Sequence, residues 1–279
     1  MQEKIRVAVL DMYDGTPNQG MHNLRTILNQ YTDHLTADYF DVRGRAEVPD
    51  TSYDIYLSTG GPGSPHDGDG LWDRRYFKLI QDLWENNQVV GEQSRHVLFI
   101  CHSFQMACIH FRIGEVIPRR SMSFGIFPAH KTTSGLKEPL LEGLPDPFYV
   151  ADFRKWQVIQ PDHQQLKELG AEIIALEKYR PHVPLERAIM GIRFTDHIVG
   201  FQFHPEADPV GMLKRFREVD KSNHVVNQYG EEKYQRMIDD LHDPNKMGLT
   251  HDTVLPVFMS DSIKSIKKLK TEKIEHFTV

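Results

Sequence analysis

Three short stretches of this sequence carry groups able to make and break an acyl bond. Cys101 closes the apolar run 97–100, and His102-Ser103-Phe104-Gln105-Met106-Ala107-Cys108 after it reads as the start of a helix. A cysteine in that place is either a small buried hydrophobe or a nucleophile on a strand-to-helix elbow, where the helix N-terminus stabilises the thiolate. In His204-Pro205-Glu206 the proline fixes the chain, so an imidazole and a carboxylate leave one short turn. A carboxylate beside a histidine sets its tautomer and stabilises its cation, which is what a general base needs. His-x-Glu also occurs in zinc deaminases, but those need a downstream Pro-Cys-x-x-Cys, and no cysteine follows Cys108. Gly60-Gly61-Pro62-Gly63-Ser64 is by itself an ordinary tight turn. It lacks the Lys-Ser/Thr of a phosphate-binding loop, and its other use is to aim backbone N–H groups at a developing oxyanion.

These residues need a frame that brings them together. Residues 5–10, 53–57 and 97–100 are short apolar runs suited to buried parallel strands. Between them, Met21, Leu24, Leu28 and Tyr31, and then Tyr76, Leu79, Ile80, Leu83 and Trp84, recur at helical spacing. Repeated strand–helix units predict an α/β fold, an open and mostly parallel sheet with helices on both faces. Ligands of such sheets bind beyond the carboxyl ends of the strands. Gly60-Gly61 and Cys101 each follow a strand directly, so both belong on that rim. Residues 121–158 break into shorter segments, read as antiparallel excursions or loops. Residues 188–203 read as two strands joined by a turn near Thr195-Asp196, the second of which delivers His204. Helical periodicity then runs from Met212 to Leu241 and again through Ile263, Ile266 and Leu269. This gives a main domain over 1–209 and a helical C-terminal extension over 210–279. The extension reads as helices packed on the sheet, the alternative being a docking or dimerisation element. Its lysines (Lys264, Lys267, Lys268, Lys270 and Lys273) read as a solvated face.

The order, spacing and letters of the three stretches resemble those of class I glutamine amidotransferases. The resemblance is carried by Ser-Thr-Gly-Gly-Pro-Gly-Ser at 58–64, Ile-Cys-His-Ser-Phe-Gln at 100–105 and Gly-Phe-Gln-Phe-His-Pro-Glu at 200–206. It covers residues 5–215 and implies the flavodoxin-like fold of that family. It implies Cys101 as nucleophile, His204 as general base and Glu206 as its orienting acid. The backbone N–H groups of Gly61 and His102 would form the oxyanion hole. Gly60 and Gln105 would line the substrate, and Ser123, Phe124 and Gly125 would offer backbone contacts to its α-groups, unless that stretch is an ordinary turn. No cofactor and no metal is implied. The sequence departs from the family at Phe99 and Ser103, where glycine is usual on either side of the cysteine. It also lacks the family's His-x-Asp-x-Val, having Arg154-Lys155-Trp156-Gln157-Val158 in that segment.

The implied activity is hydrolysis of the γ-amide of glutamine, or of a related γ-glutamyl compound, through a thioester. Three settings for it stay open. One is a glutaminase feeding ammonia to a separate synthetase subunit, similar in its motifs to the amidotransferase domain of GMP synthetases. Another is a self-contained γ-glutamyl peptide hydrolase or transferase. The last is a catalytically silent module that keeps the fold for protein interaction. A net charge of −6 with a pI near 6.2 argues against a general nucleic-acid binder. No apolar run reaches the roughly 20 residues that span a bilayer, so no membrane partner is expected. The opening residues lack a charged-then-apolar leader. The two cysteines are too few and too closely spaced for a disulfide framework, and both features suit the cytoplasm. The sequence does not disclose an oligomeric state.

Overall fold

A computed structural model describes residues 4–181 and 184–277. Residues 1–3, where a leader would begin, lie outside the described residues, as do the side chains of 221 and 272–277, Lys273 among them. The apolar runs form the centre of one sheet. Ile5–Asp11 (β1), Ile55–Ser58 (β3) and His96–Ile100 (β4) lie side by side in parallel. Leu35–Asp41 (β2) adds to the outer edge of β1, also in parallel. Along β1 the side chains alternate between two cores, as a doubly covered strand requires. Val7 and Val9 face Leu24, Ile27 and Leu28 of the helix Gln19–Asn29 (α1). Ala8 and Leu10 share the other core with Tyr76, Leu79 and Leu83 of Trp72–Gln88 (α3), behind the single turn Val42–Arg45 (α2).

Past β4 comes the helix His102–His110 (α4), and then the chain turns antiparallel. The segment expected to hold short excursions forms two long strands, Glu115–Lys131 (β5) and Phe148–Ile159 (β6), of 17 and 12 residues. They are paired with a register shift between Pro118 and Ser123. Prolines at 118 and 128 interrupt the β pattern in sequence, and the shift absorbs the first of them, which a ladder tolerates at an edge or bulge. After the short helix His163–Leu169 (α5) come Glu172–Glu177 (β7), Ile189–Thr195 (β8) and Ile198–Phe201 (β9). The last two form the hairpin expected around Thr195-Asp196. Among the described residues one sheet of nine strands results, ordered β2-β1-β3-β4-β9-β8-β7-β5-β6. It is parallel from β2 to β9 and antiparallel beyond.

The C-terminal segment is helical: Pro209–Phe216 (α6), Val219–Tyr229 (α7), Glu231–His242 (α8) and the 29-residue Leu249–Phe277 (α9). Asp208 caps α6 through the N–H groups of Val210 and Gly211, with Pro209 at its first position. In α9, Val254, Leu255, Phe258, Met259, Ile263 and Ile266 are buried in the same core as Val7 and Leu24. This helix therefore covers the sheet on the α1 side. Among the described residues no helix is long and apolar enough to cross a membrane.

Candidate functional site

The end of β4 and the start of α4 meet at Cys101, whose backbone holds φ +52° and ψ −100°. A non-glycine residue with positive φ is strained and persists only where its surroundings enforce it. Here the Cys101 N–H donates to the carbonyl of Phe201 at 2.8 Å and its own carbonyl accepts from Gln105 N–H at 3.0 Å. The residue is thus the last of the sheet pairing and the first of the helix. Ser103, one of the departures from the family pattern, adds a tie that glycine cannot make. Its Oγ accepts from Ile100 N–H at 2.9 Å and donates to the Ser58 carbonyl at 2.7 Å, joining the ends of β3 and β4. Phe99, the other departure, finds its room opposite Gly200, its register partner on β9. A β-carbon at Gly200 would lie 2.7 Å from the Phe104 ring and 3.3 Å from Phe99 Cβ. The Phe99 ring packs edge-on against Phe194.

Gly60 and Gly61 follow β3 on the same rim. A β-carbon on Gly61 would run into the Met12 carbonyl oxygen, and one on Gly60 would lie 2.7 Å from Cε1 of His204. Both positions therefore require glycine, Gly61 so that the loop rests on the end of β1 and Gly60 so that the imidazole can come close to the loop. Thr59 locks this arrangement by accepting the Met12 N–H at 2.9 Å. His102 is the first residue of α4, where backbone N–H groups lack an intrahelical acceptor. Its side chain is buried with Nε2 lacking a hydrogen-bond partner, and burial together with nearby Arg43 pushes its pKa down to about 3.

After β9 the chain leaves the sheet and turns at 205–206. His204 N–H donates to the Ala151 carbonyl, and its ring Nδ1 meets Glu206 Oε1 at 2.8 Å. Glu206 is buried, with 1% of its surface exposed. Cys101 borders the same cavity as the ring, close enough for its side chain to act on the charge of the imidazole. Burial alone would lower the His204 pKa, but the charge of Glu206 and the thiol group of Cys101 outweigh it and hold the pKa well above its ordinary value. Cys101 is thus brought, across about a hundred residues of chain, to the same cavity that His204 and Glu206 border.

Two cavities open on the thiol. Cys101, Gly61, Pro62 and Phe153 border both. The first, of about 330 Å³, is the one that His204 and Glu206 face. The second, of about 440 Å³, is bordered by His102, Gln105 and the backbone segment from Arg154 to Trp156. Gln105 is buried and donates to Gln202 Oε1 at 3.1 Å and to the Trp156 carbonyl at 3.3 Å. Gln202 in turn points its Nε2 at the Cys101 sulfur, 3.8 Å away. Ser123 and Phe124 border neither cavity. Ser123 Oγ donates to Asp152 at 2.6 Å, and Asp152 also pairs with Arg154 at 2.9 Å. Phe124 stacks on Tyr229 of α7, rings 5.0 Å apart, and packs against Phe216 of α6. The structure thus separates these two residues from the thiol: a polar network and the α6–α7 contact occupy their side chains.

Two neighbours of the thiol were not singled out by sequence. Tyr13 lies in the loop after β1, and burial, then Glu206, Cys101 and Asp11, push its phenol far above its ordinary pKa, so it stays a neutral hydroxyl. The rule that loops at the carboxyl ends of strands carry function pointed to this loop but not to the residue. Gln202 was in view inside the motif around His204, yet its period-2 position gave no hint that it reaches the thiol. Among the described residues no group of three or more His, Cys, Asp or Glu side chains is placed to hold a metal ion.

The family model described as glutamine amidotransferase class-I matches residues 8–216 of this chain. No curated protein is recovered as a relative of the sequence. Among solved structures, a glutamine amidotransferase from Thermotoga maritima superposes with a TM-score of 0.68 at 15% identity, covering 94% of this chain and 99% of its own. A candidate GMP synthase component from Thermoplasma acidophilum gives 0.53 at 17% identity, covering 79% and 100%. The acivicin-bound glutaminase domain of Trypanosoma brucei CTPS gives 0.54 at 13% identity, covering 73% and 86%. At these identities the likeness is one of fold.

Proposed function

The chain belongs to the class I glutamine amidotransferase family, and from that premise we propose that it hydrolyses the γ-amide bond of glutamine or a γ-glutamyl conjugate. The observation that carries the proposal is Cys101 on its strained elbow, sharing a cavity with an imidazole that Glu206 holds at 2.8 Å. The Cys101 thiol gives its proton to His204 and its sulfur attacks the γ-carbonyl carbon. The oxyanion so formed lies against the backbone N–H groups of Gly61 and His102, contacts that grow strongest where the negative charge develops. His204, now an imidazolium, hands its proton to the nitrogen as the C–N bond breaks, leaving a glutamyl thioester and a free amine. Water then gives a proton to His204 and attacks the thioester; the C–S bond breaks, glutamate leaves and the thiol is restored. Glu206 stabilises the imidazolium in both halves. Gln105 and Gly60 act by shaping the site, Gln105 at the acyl end and Gly60 beside the imidazole.

With glutamine as substrate the amine is ammonia. The relatives named for GMP synthase and CTPS support passage of that ammonia to a separate synthetase partner. A mechanism that runs on a reduced thiol suits a reducing compartment such as the cytoplasm. The test is a paired screen of wild type and Cys101→Ala on glutamine and on γ-glutamyl peptides, following amine release. Wild type is expected to turn over at least one of them and Cys101→Ala none. Equal turnover by the two proteins would remove Cys101 from the reaction.

A further inference from the structure

We infer that the cavity on the His204 side of the thiol is a leaving-group pocket, and that the preferred substrates are γ-glutamyl conjugates whose amine carries an apolar body. The inference rests on the γ-glutamyl hydrolase reading above and narrows it to a substrate class. The two cavities divide the reacting amide between them. The group that protonates the leaving nitrogen must face it, and His204 with Glu206 borders only the first cavity. His102 and Gln105 border only the second. With the carbonyl carbon on sulfur and its oxygen toward Gly61 and His102, the acyl chain runs into the second cavity. The nitrogen and everything attached to it then point into the first.

That first cavity is far larger than glutamine needs. Ammonia is about the size of a water, whose share of liquid volume is about 30 Å³, whereas the space is about 330 Å³. Its wall is mostly apolar, with Tyr13, Phe153, Ala207 and Met212, and no lysine or arginine borders it. Beyond Gln19, Phe153 and Met212, which border both, a further mostly apolar cavity of about 310 Å³ continues between Phe124, Phe216 and Val225, with Arg215 and His224 also on its border. An exit for ammonia needs a passage one small molecule wide. This is a chamber shaped by α1 on one side and by α6 and α7 on the other, and it suits an aromatic or branched amine. The reaction balances as before: water supplies the oxygen of the new γ-carboxylate, and the amine leaves with the proton from His204.

The full chain is assayed for amine release from glutamine, γ-glutamyl methylamide and γ-glutamyl phenethylamide. The expected result is a kcat/KM for the phenethylamide at least tenfold above that for glutamine, with the methylamide between them. Met212→Trp fills the chamber and is expected to lower the phenethylamide-to-glutamine ratio at least tenfold. Gln19→Trp, at an exposed position bordering both mostly apolar cavities, is expected to shift the ratio the same way and serves if the first variant does not fold. Turnover of glutamine equal to or better than that of the conjugate would overturn the leaving-group pocket while leaving γ-glutamyl hydrolysis standing. No turnover of any of the three, with no acyl group found on Cys101 by mass spectrometry, would overturn the parent reading and this one with it.

Discussion

At the scale of single residues the site is governed by what surrounds His204. Burial favours a neutral ring, while Glu206 and Cys101 favour the cation and prevail. Glu206 thus favours the imidazolium, the form that in the proposed reaction His204 takes on receiving the thiol proton and that donates to the leaving amine. Glu206→Gln keeps the shape and removes the charge, so the His204 pKa should fall. The alkaline limb of the kcat/KM profile is then expected to move to lower pH, and kcat to fall by about 10²–10⁴-fold, the range for loss of general acid–base assistance. An unchanged alkaline limb would dissociate Glu206 from the titration of the histidine. Cys101, His204 and Glu206 stood out in the sequence because the proposed chemistry demands particular side chains. Tyr13 and Gln202 were not, since a tyrosine after a strand and a glutamine within one have many commoner uses.

At the scale of elements, the elbow depends on how β4, α4 and β9 fit. Phe99 and Phe104 occupy the space that Gly200 leaves free. Gly200→Ala is expected to cost about 1–3 kcal/mol, as overpacking of a full core does, and Phe104→Leu in the same chain should return part of it. Urea unfolding of the two variants measures both; an unaffected Gly200→Ala would mean that the aromatic pair moves aside freely. The parallel strands and their helices could be read from the sequence because burial on two faces leaves uninterrupted apolar runs. The strands β5, β6 and β7 were hidden. β5 carries two prolines and shifts register against β6, and β7 shifts register against β8, so periodicity alone could not separate them from loops. β2, a polar edge strand with only Leu35 fully buried, was missed for the same reason.

At the scale of the whole molecule, buried histidines set the response to acid. Burial, with His197 and Arg193 nearby, pushes His96 down to about 3, and His102 lies equally low. Their folded pKa values lie below the unfolded value of about 6.5, so the unfolded chain takes up these protons first. Stability is then complete above pH 6.5 and falls as the pH drops toward 3, by about 1.4 kcal/mol per pH unit for each group. His204 acts in the opposite sense: its contribution is whole below pH 6.5 and fades as pH rises through its elevated folded pKa. Urea melts between pH 6.5 and 4.5 should show the acid slope, and His96→Asn should reduce it by about 1.4 kcal/mol per pH unit; an identical slope would mean that His96 titrates freely in the fold. The helix α9 bears on a different property. Its apolar face closes the core begun by β1 and α1 more than two hundred residues earlier. During synthesis, Val7, Val9 and Leu24 emerge long before Phe258 and Ile266 can cover them. A nascent chain therefore carries an uncovered greasy surface until more than two hundred further residues have been made, and the core beneath the Cys101 rim is completed only by a helix that lines neither of its cavities.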